Sequence, residues 1–305
     1  MLFLFIFIYF LNIKFNTKKY NYEFKKFAII SKENSICGLF AFYGYFLGCV
    51  NKYINEGYIP IVDLKSYPNG YNGFNTSINY NPWELFFEQP YNYTMEEVLK
   101  NAKNIVYIKC EERIYRPDER IIYYNKDLIK FWRNIGKKYL PIKNEIQKES
   151  NIIIQKLFKN SSNVLGVKIR GTDYFKLKLK AHPIPPSLDL VVEGVKYLNS
   201  KNNYDWIFIS SEDNNIKERF IKEFEKKIRL LNSKTKIDYN STRDDYLIRN
   251  KEVNGNIEYA TNYVMNIYIL GKCTDIVMSR GSGGVGVILN SNGFRNSIYY
   301  NLGEY

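Results

Sequence analysis

The sequence has few of the residues that bind transition metals or form redox pairs. His182 is the single histidine among 305 residues, and no two of the four cysteines have the close spacing of a zinc site or a redox pair. A transition-metal site is therefore not expected. The isolated cysteines indicate buried thiols in a reducing compartment, where disulfides are rare. They are Cys37, Cys49, Cys110 and Cys273.

Several common ligand-binding motifs are missing as well. No glycine-rich turn ends in the Lys-Ser/Thr pair of a P-loop, and no dinucleotide fingerprint is followed by an acidic partner. The chain also has no Asp-x-Asp element, which a metal-dependent sugar transferase would usually show. These absences favour a ligand that is held without a metal ion.

The size and composition are those of a folded protein with an anionic partner. A chain of 305 residues suits two domains, and 45% hydrophobic residues allow a proper core. The formal charge of +13 favours a nucleotide, a nucleic acid or an anionic membrane surface. The alternative is codon bias, because Lys, Asn, Ile and Tyr all have AT-rich codons.

The first ten residues are almost wholly apolar, and Lys14, Lys18 and Lys19 follow them. This run is shorter than the roughly 20 residues of a membrane-spanning helix. It also lacks the basic start and the cleavage site of a signal peptide. It is a buried first element, a peripheral membrane anchor or an upstream extension of the true start. We predict a cytoplasmic protein, with peripheral contact to the inner face of the membrane as one alternative.

Strands alternate with helices along the rest of the chain, which is typical of an α/β fold. Residues 34 and 35 are candidate N-caps for the first helix, residues 67–80 indicate a surface loop, and Thr94 with Glu97 indicates a capping box. The first half has predicted strands at 27–31, 58–64 and 105–108 and helices at 36–54, 94–102 and 127–158, the last interrupted at Pro141. The second half has predicted strands at 164–170, 206–210, 236–239, 275–279 and 297–301 and helices at 187–198, 216–231, 257–270 and from 285. The pattern predicts an N-terminal segment, 1–24, and two Rossmann-like domains, 25–160 and 161–305.

Polar clusters follow three strands of the second half. Because the carboxyl ends of parallel strands meet at one edge of a sheet, we expect the clusters to lie together. The last is a strand, a Gly/Ser turn and a helix, whose N–H groups can cradle a phosphate. A nucleoside diphosphate held by Arg170 and backbone amides fits this pattern. The clusters are Lys168, Arg170 and Asp173; Ser210, Ser211, Glu212 and Asp213; and Ser279, Arg280, Ser282, Gly283 and Gly284.

The segment 81–90, NPWELFFEQP, combines aromatic rings with two carboxylates. Trp83, Glu84 and Glu88 are therefore candidates for binding an acceptor, with the ring stacked on a sugar. The alternative is a short amphipathic helix with Trp83, Phe86 and Phe87 in the core and the glutamates in solvent.

Residues 170–186 resemble a known motif. They read Arg-Gly-Thr-Asp-Tyr, a lysine-rich link and His-Pro-Ile-Pro-Pro. This is similar to the central motif of the fucosyltransferases of the α-1,6 and nodulation-factor type, and closer still to their uncharacterised bacterial relatives. Weaker likenesses occur at Cys37, at 81–90, at 211–213 and at 301–305, so the resemblance covers most of the chain after about residue 25.

The resemblance implies a GT-B fold, in which two Rossmann-like domains face a cleft. Residues 25–160 would bind a glycan acceptor, and residues 161–305 would bind a nucleotide sugar, most simply GDP-fucose, as co-substrate without any other cofactor. Arg170 would hold the β-phosphate and stabilise the leaving diphosphate while the sugar transfers with inversion. The product would belong to a bacterial surface polysaccharide or glycoconjugate. The implied donor-binding residues are Lys168, Thr172, His182, Ser210, Glu212, Asp213, Asp238, Ser279, Ser282, Gly283 and Gly284.

Two positions depart from the family pattern. Lys168 stands where a relative has a guanine-binding histidine, and Lys178 stands where the α-1,6 enzymes have the glutamate that acts as acceptor base. The base candidates are then Asp173, Glu84 and Glu88, although Asp173 also suits a partner that orients Arg170, and His182 suits a supporting role. The competing functions are a GT-B transferase for another nucleotide sugar, a binding-only relative and a basic nucleic-acid-binding protein. No nucleic-acid-binding motif is found, so nucleic acid is not the expected partner.

Overall fold

The computed structural model describes residues 22, 24–34, 36–171, 177, 178, 180–231 and 253–305. These residues form two parallel sheets with helices packed around them. The first half contains β1 (Lys26–Ser31), α1 (Leu39–Asn55), β2 (Ile59–Asp63), α2 (Trp83–Phe86), α3 (Met95–Asn101), β3 (Asn104–Lys109), a 3₁₀ turn (Ile122–Tyr124), α4 (Lys126–Tyr139) and α5 (Asn144–Phe158). The second half contains β4 (Val164–Lys168), α6 (Leu188–Asn202), β5 (Trp206–Ser210), α7 (Asn214–Phe224), β6 (Ile228–Leu230), α8 (Ile257–Leu270), β7 (Asp275–Ser279), α9 (Ser282–Asn290) and β8 (Ser297–Tyr300).

The N-terminal sheet has the strand order β2-β1-β3, and all pairs are parallel. Its central strand, β1, is an apolar run whose residues 27–30 are fully buried, as expected of a strand covered on both faces. The helix that follows begins later than the sequence indicated. Its N-cap is Gly38, while the Asn34 side chain accepts a hydrogen bond from Ile36 N at 3.1 Å in the preceding loop. The N-cap prediction was therefore wrong for Asn34, and Ser35 lies outside the described residues.

The C-terminal sheet has the strand order β6-β5-β4-β7-β8, again with all pairs parallel. The chain enters at β4, builds outward through β5 and β6, and then returns to the other side of β4 with β7 and β8. The order reverses between β4 and β7. In open α/β sheets, the crevice beyond the strand ends at such a switch point is where ligands bind. A ligand site is therefore expected at the carboxyl ends of β4 and β7.

The helix predicted at 216–231 is shorter than expected. It ends at Phe224, where Glu225 takes a positive φ of 40°, and residues 228–230 form β6 at the edge of the sheet. Ile228 and Leu230 alternate with Arg229, so the periodicity changes from helix to strand within the predicted element. The predicted strand at 236–239, and Asp238 with it, lies outside the described residues.

One hydrophobic core contains residues from both halves of the chain. Phe40 of α1 lies against Gly286 of α9, whose added Cβ would be 2.3 Å from the phenyl ring. The Arg133 guanidinium on α4 donates to Ile288 O at 2.9 Å. The two sheets are thus joined by helix packing, and the predicted domain boundary near residue 160 stays a prediction.

Two further segments differ from expectation. Residues 67–80 are not a simple surface loop, because Asn69 and Asn72 are buried and their amide groups both donate to Tyr67 O at 2.8 Å. Residues 94–97 form the predicted capping box. In the described part of the chain, no helix combines the length and the apolar character needed to cross a membrane.

The cysteines do not all remain thiols. Cys49 on α1 and Cys110 after β3, which are 61 positions apart in the sequence, form a disulfide with Cα atoms 6.4 Å apart. The interpretation of all four as thiols was wrong for this pair, because only folding shows that the two lie side by side. Cys37 and Cys273 are free, and burial raises the pKa of Cys37 to about 12.

Candidate functional site

Lys168, the last residue of β4, lies at the switch point. A Cβ added at Gly283 would lie 3.0 Å from its Nζ, so the amine rests against the first turn of α9. Burial lowers the pKa of Lys168 to about 8, partly opposed by Glu212. The charged form of this amine is therefore poorly compensated in the protein alone, and an anion beside it would stabilise that form.

Arg170 follows β4 and lies beside the end of β5. Its Nε is 4.0 Å from Glu212 Oε1, and the same carboxylate oxygen accepts from Gly171 N at 2.9 Å. A Cβ at Gly171 would meet Asp213 Oδ2 at 2.5 Å, so this position requires glycine. Asp213 in turn caps α7 by accepting from Asn215 N at 2.9 Å. Glu212 and Asp213, after β5, therefore contact Arg170 and Gly171 and hold them in position.

The turn after β7 presents the N-terminus of α9 to the same place. Gly281 has a φ of 148°, which favours glycine, and its N–H donates to the Tyr123 hydroxyl at 3.0 Å. The N–H groups of Ser282, Gly283 and Gly284 lie in the first turn and have no partner within the helix. Together with the helix dipole they favour an anion.

Arg280, a member of the third polar cluster, is buried between β7 and this turn. Its Nη2 atom forms an ion pair with Glu304 and lies 3.9 Å from Glu119 Oε1. Its Nη1 atom donates to Asn301 Oδ1 at 3.3 Å. The guanidinium thus joins the β7 turn, the segment before the 3₁₀ turn and residues 301–304.

Glu119 is a residue near the site that no sequence pattern singled out. Burial raises the pKa of Glu119 above its ordinary value, against the opposing charges of Arg280, Arg116 and His182. Its segment, 110–121, has no regular secondary structure, so no periodicity or motif distinguishes it.

His182 lies in a loop that pairs with the last residues of the sequence. Its carbonyl accepts from Tyr305 N at 3.1 Å, and Ile184 N donates to Gly303 O at 3.0 Å. The ring is partly exposed, with Nδ1 3.2 Å from Lys180 O. The ring interacts electrostatically with Glu119, so the histidine lies near the site, in a segment held by backbone pairing.

The proposed acceptor residues lie in the fold of the N-terminal half. The Trp83 ring is fully buried and stacks on Phe87 with centroids 4.3 Å apart, so it offers no face to a sugar. Glu84 accepts from Met95 N at 2.8 Å, and Glu88 accepts from Asn144 N at 3.1 Å. The alternative interpretation, a short helix with the tryptophan in the core, is therefore correct for this segment. Its glutamates, however, accept hydrogen bonds from the backbone and are not free in solvent.

The structure brings together most of the predicted donor-binding residues. Thr172 and Asp173 lie outside the described residues, as does Asp238, and their roles remain predictions. Two surface cavities, of about 390 and 490 Å³, lie at other places, beside Trp206 and beside Tyr58. The residues at or next to the switch point are Lys168, Arg170, Ser210, Glu212, Asp213, Ser279, Ser282, Gly283 and Gly284.

No protein-family model and no curated protein matches this sequence. Solved structures do match. A NodZ α-1,6-fucosyltransferase soaked with GDP-fucose has a TM-score of 0.53 at 13% identity, over 88% of this chain and 93% of the other. The same enzyme co-crystallised with GDP has a TM-score of 0.51 at 12% identity over the same shares. POFUT1 in complex with GDP has a TM-score of 0.50 at 9% identity, over 90% of this chain and 98% of the other.

At these identities the likeness shows the fold alone. The chain has the GT-B fold of these fucosyltransferases, an α/β architecture of two Rossmann-like domains facing a cleft, which confirms the fold that the sequence motif implied.

Proposed function

We propose that the chain is a metal-independent, inverting glycosyltransferase that moves fucose from GDP-fucose to a glycan hydroxyl. The observation that carries the proposal is the convergence of Lys168, Arg170 and the first turn of α9 at the switch point of the C-terminal sheet. A diphosphate is the ligand chemistry that such a site recognises. The GDP and GDP-fucose bound in the structurally similar fucosyltransferases support the same choice.

The same arrangement suits the leaving group. When the sugar leaves, negative charge develops on the β-phosphate, and groups fixed around that position stabilise it most. Arg170 is held by the Glu212 carboxylate, so little reorganisation is needed when the charge appears. The lowered pKa of Lys168 means that a bound diphosphate regains the free energy lost in burying the amine.

Lys168 also bears on which nucleotide binds. It stands where a relative has a guanine-binding histidine, but its amine rests against the first turn of α9, so we assign it to the diphosphate and not to the base. The loss of that histidine favours a second candidate function, a GT-B transferase for another nucleotide sugar. The two candidates differ in which nucleotide binds.

A thermal-shift series with GDP, UDP, CDP and their sugars tests both. We expect GDP to raise the melting temperature of wild type, and the shift to be lost in Arg170→Ala. Arg219→Ala is the matched control, because Arg219 is a surface arginine on α7 that pairs with Asp189 and Glu223. Stabilisation by UDP or CDP alone would move the assignment to the second candidate. No shift with any nucleotide would overturn the transferase itself.

We further propose that the protein acts in the cytoplasm, with the residues before β1 in peripheral contact with the membrane, and that nucleic acid is not a partner. The Cys49–Cys110 disulfide is unusual for that compartment. Alkylation of the thiols in freshly lysed cells, followed by mass spectrometry, decides whether the bond exists there. Strong, salt-dependent binding to unrelated DNA would contradict the exclusion of nucleic acid.

A further inference from the structure

We propose that Glu119 is the base that takes the proton from the acceptor hydroxyl. The inference rests on the proposed function and supplies the group that the family motif lacks here, since Lys178 occupies the position of the acceptor base.

Glu119 reaches the diphosphate pocket from the other half of the chain. Four residues later, the Tyr123 hydroxyl accepts from Gly281 N and donates to Gly281 O at 2.8 Å, which fixes this segment to the turn that opens α9. Glu119 Oε1 is 3.9 Å from Arg280 Nη2, one residue before that turn, and its side chain is 28% exposed. The carboxylate is thus mostly withdrawn from bulk water and still open to a ligand.

Within the described part of the chain, the charges around Glu119 come from several elements. Arg280 follows β7, His182 belongs to the loop after β4, and Arg116 and Asp118 lie on the same segment as Glu119. Lys168 at the end of β4 also interacts with it. Glu304 shares the Arg280 guanidinium.

Burial raises the pKa of Glu119 although Arg280, Arg116 and His182 act to lower it. A carboxylate with a raised pKa is a stronger base, and general-base catalysis is most efficient when the pKa of the base approaches the working pH. The nearby cations limit that rise, because each of them stabilises the ionised carboxylate.

Four other carboxylates considered for the site, all among the described residues, already bond to the fold. Glu212 accepts from Gly171 N, and Asp213 caps α7. Glu84 and Glu88 accept from the backbone of the N-terminal half. Glu119 is held by an ion-pair contact of 3.9 Å, a length that leaves its oxygens available to a hydroxyl.

The transfer is a single displacement at the anomeric carbon. The acceptor oxygen forms a bond to the anomeric carbon while the bond from that carbon to the β-phosphate oxygen breaks. The bonding electron pair leaves with the nucleoside diphosphate, where Arg170, Lys168 and the α9 N-terminus stabilise it. The hydroxyl proton passes to a Glu119 carboxylate oxygen, and the configuration at the anomeric carbon inverts.

Glu119→Gln is the direct test. We expect kcat for transfer to fall by about 10²–10⁴-fold, with the GDP-induced thermal shift and the donor KM unchanged. The acid limb of the wild-type pH–rate profile, where Glu119 becomes protonated, should disappear in the variant. Glu119→Asp should retain part of the activity. Glu111→Gln, an exposed position on the same segment, is the matched control and should behave as wild type.

The outcomes separate this inference from the function on which it rests. If wild type neither binds a nucleotide nor transfers a sugar, the proposed function fails. If wild type transfers and Glu119→Gln transfers at the same rate, or keeps the acid limb, the base assignment is overturned. A variant that loses GDP binding together with activity would also overturn it, because the role would then be to position Arg280.

Discussion

The two sheets of this protein have the same parallel construction and different carboxyl edges. At the end of β1, buried Lys32 pairs with Glu112, which also accepts from the Tyr45 hydroxyl, and the Arg116 guanidinium lies 4.0 Å from the centre of the Tyr45 ring. A disulfide fastens the nearby end of β3 to α1. At the end of β4, burial holds the pKa of Lys168 near 8 beside a helix N-terminus.

The difference shows where a ligand is needed. The charges of the N-terminal edge are compensated within the protein, so these residues stabilise the fold without a ligand. The charged form of Lys168 is incompletely compensated, so the C-terminal edge gains stability when an anion arrives. Each of the following predictions tests one side of this contrast, from the largest expected effect to the smallest.

Arg170→Lys probes the C-terminal edge most directly. A lysine keeps the charge but loses the planar fork that fits a phosphate. We expect transfer to fall by about 10²–10³-fold in a steady-state assay of sugar transfer. Arg219→Lys on the exposed face of α7 is the control and should leave the rate unchanged. Equal rates in both variants would break the contrast.

Replacing the disulfide probes the N-terminal edge. We expect Cys49→Ser with Cys110→Ser to lower the free energy of unfolding by about 2–4 kcal/mol, because the loop it closes is long. Denaturant unfolding measures this, and wild type in reductant should match the double variant. GDP affinity should not change. A parallel loss of GDP affinity would show that the two edges are not separate in function.

Gly286→Ala probes the contact between the halves. Its Cβ would lie 2.3 Å from the Phe40 ring, so we expect a loss of about 1–3 kcal/mol from overpacking. Gly44→Ala is the matched helical control, since its nearest atom would be 3.9 Å away and alanine favours a helix. Thermal unfolding distinguishes them. If the double variant Gly286→Ala with Phe40→Leu regains the lost stability, the strain lies at the Phe40 ring. If Gly286→Ala is as stable as wild type, the close packing is contradicted.

Lys168 predicts a dependence of GDP affinity on pH. The amine has a pKa of about 8 in the free protein, and a bound diphosphate stabilises its charged form and raises that pKa. Binding therefore takes up a proton above pH 8, and affinity should fall about tenfold between pH 7 and pH 9. Calorimetry in buffers of different ionisation enthalpy measures the proton uptake. Lys168→Met should lose this dependence, and Lys222→Met on the surface of α7 should keep it.

Much of the fold was readable from local pattern. The strands at 206–210 and 275–279 and the helix at 257–270 have the predicted bounds, because a buried parallel strand is a continuous apolar run. Elements at the margins were harder. The edge strand β6 was mistaken for the end of a helix, and a backbone reversal at Glu225 separates the two.

The site was readable in part. Strand ends that carry Lys, Arg, Glu and Gly/Ser clusters share one edge in any parallel sheet, so Lys168, Arg170, Glu212 and Gly283 could be grouped from sequence. Trp83 was misleading, because an aromatic residue in a polar segment suits both a sugar and a core, and the structure buries it. Arg280 and Glu119 meet only because β7 and the segment after β3 come together across the two halves.

The sequence by itself determined most strands and helices, the polar strand ends and the motif around Arg170, because each depends on neighbours within a few positions. Tertiary structure alone decided that Cys49 bonds to Cys110, that Lys168 rests on Gly283 with a lowered pKa, and that Glu119 faces Arg280. These pairs lie 61 to 161 positions apart in the sequence and are joined only by packing. Burial and charge compensation, which set the chemistry of a side chain, belong to that packing.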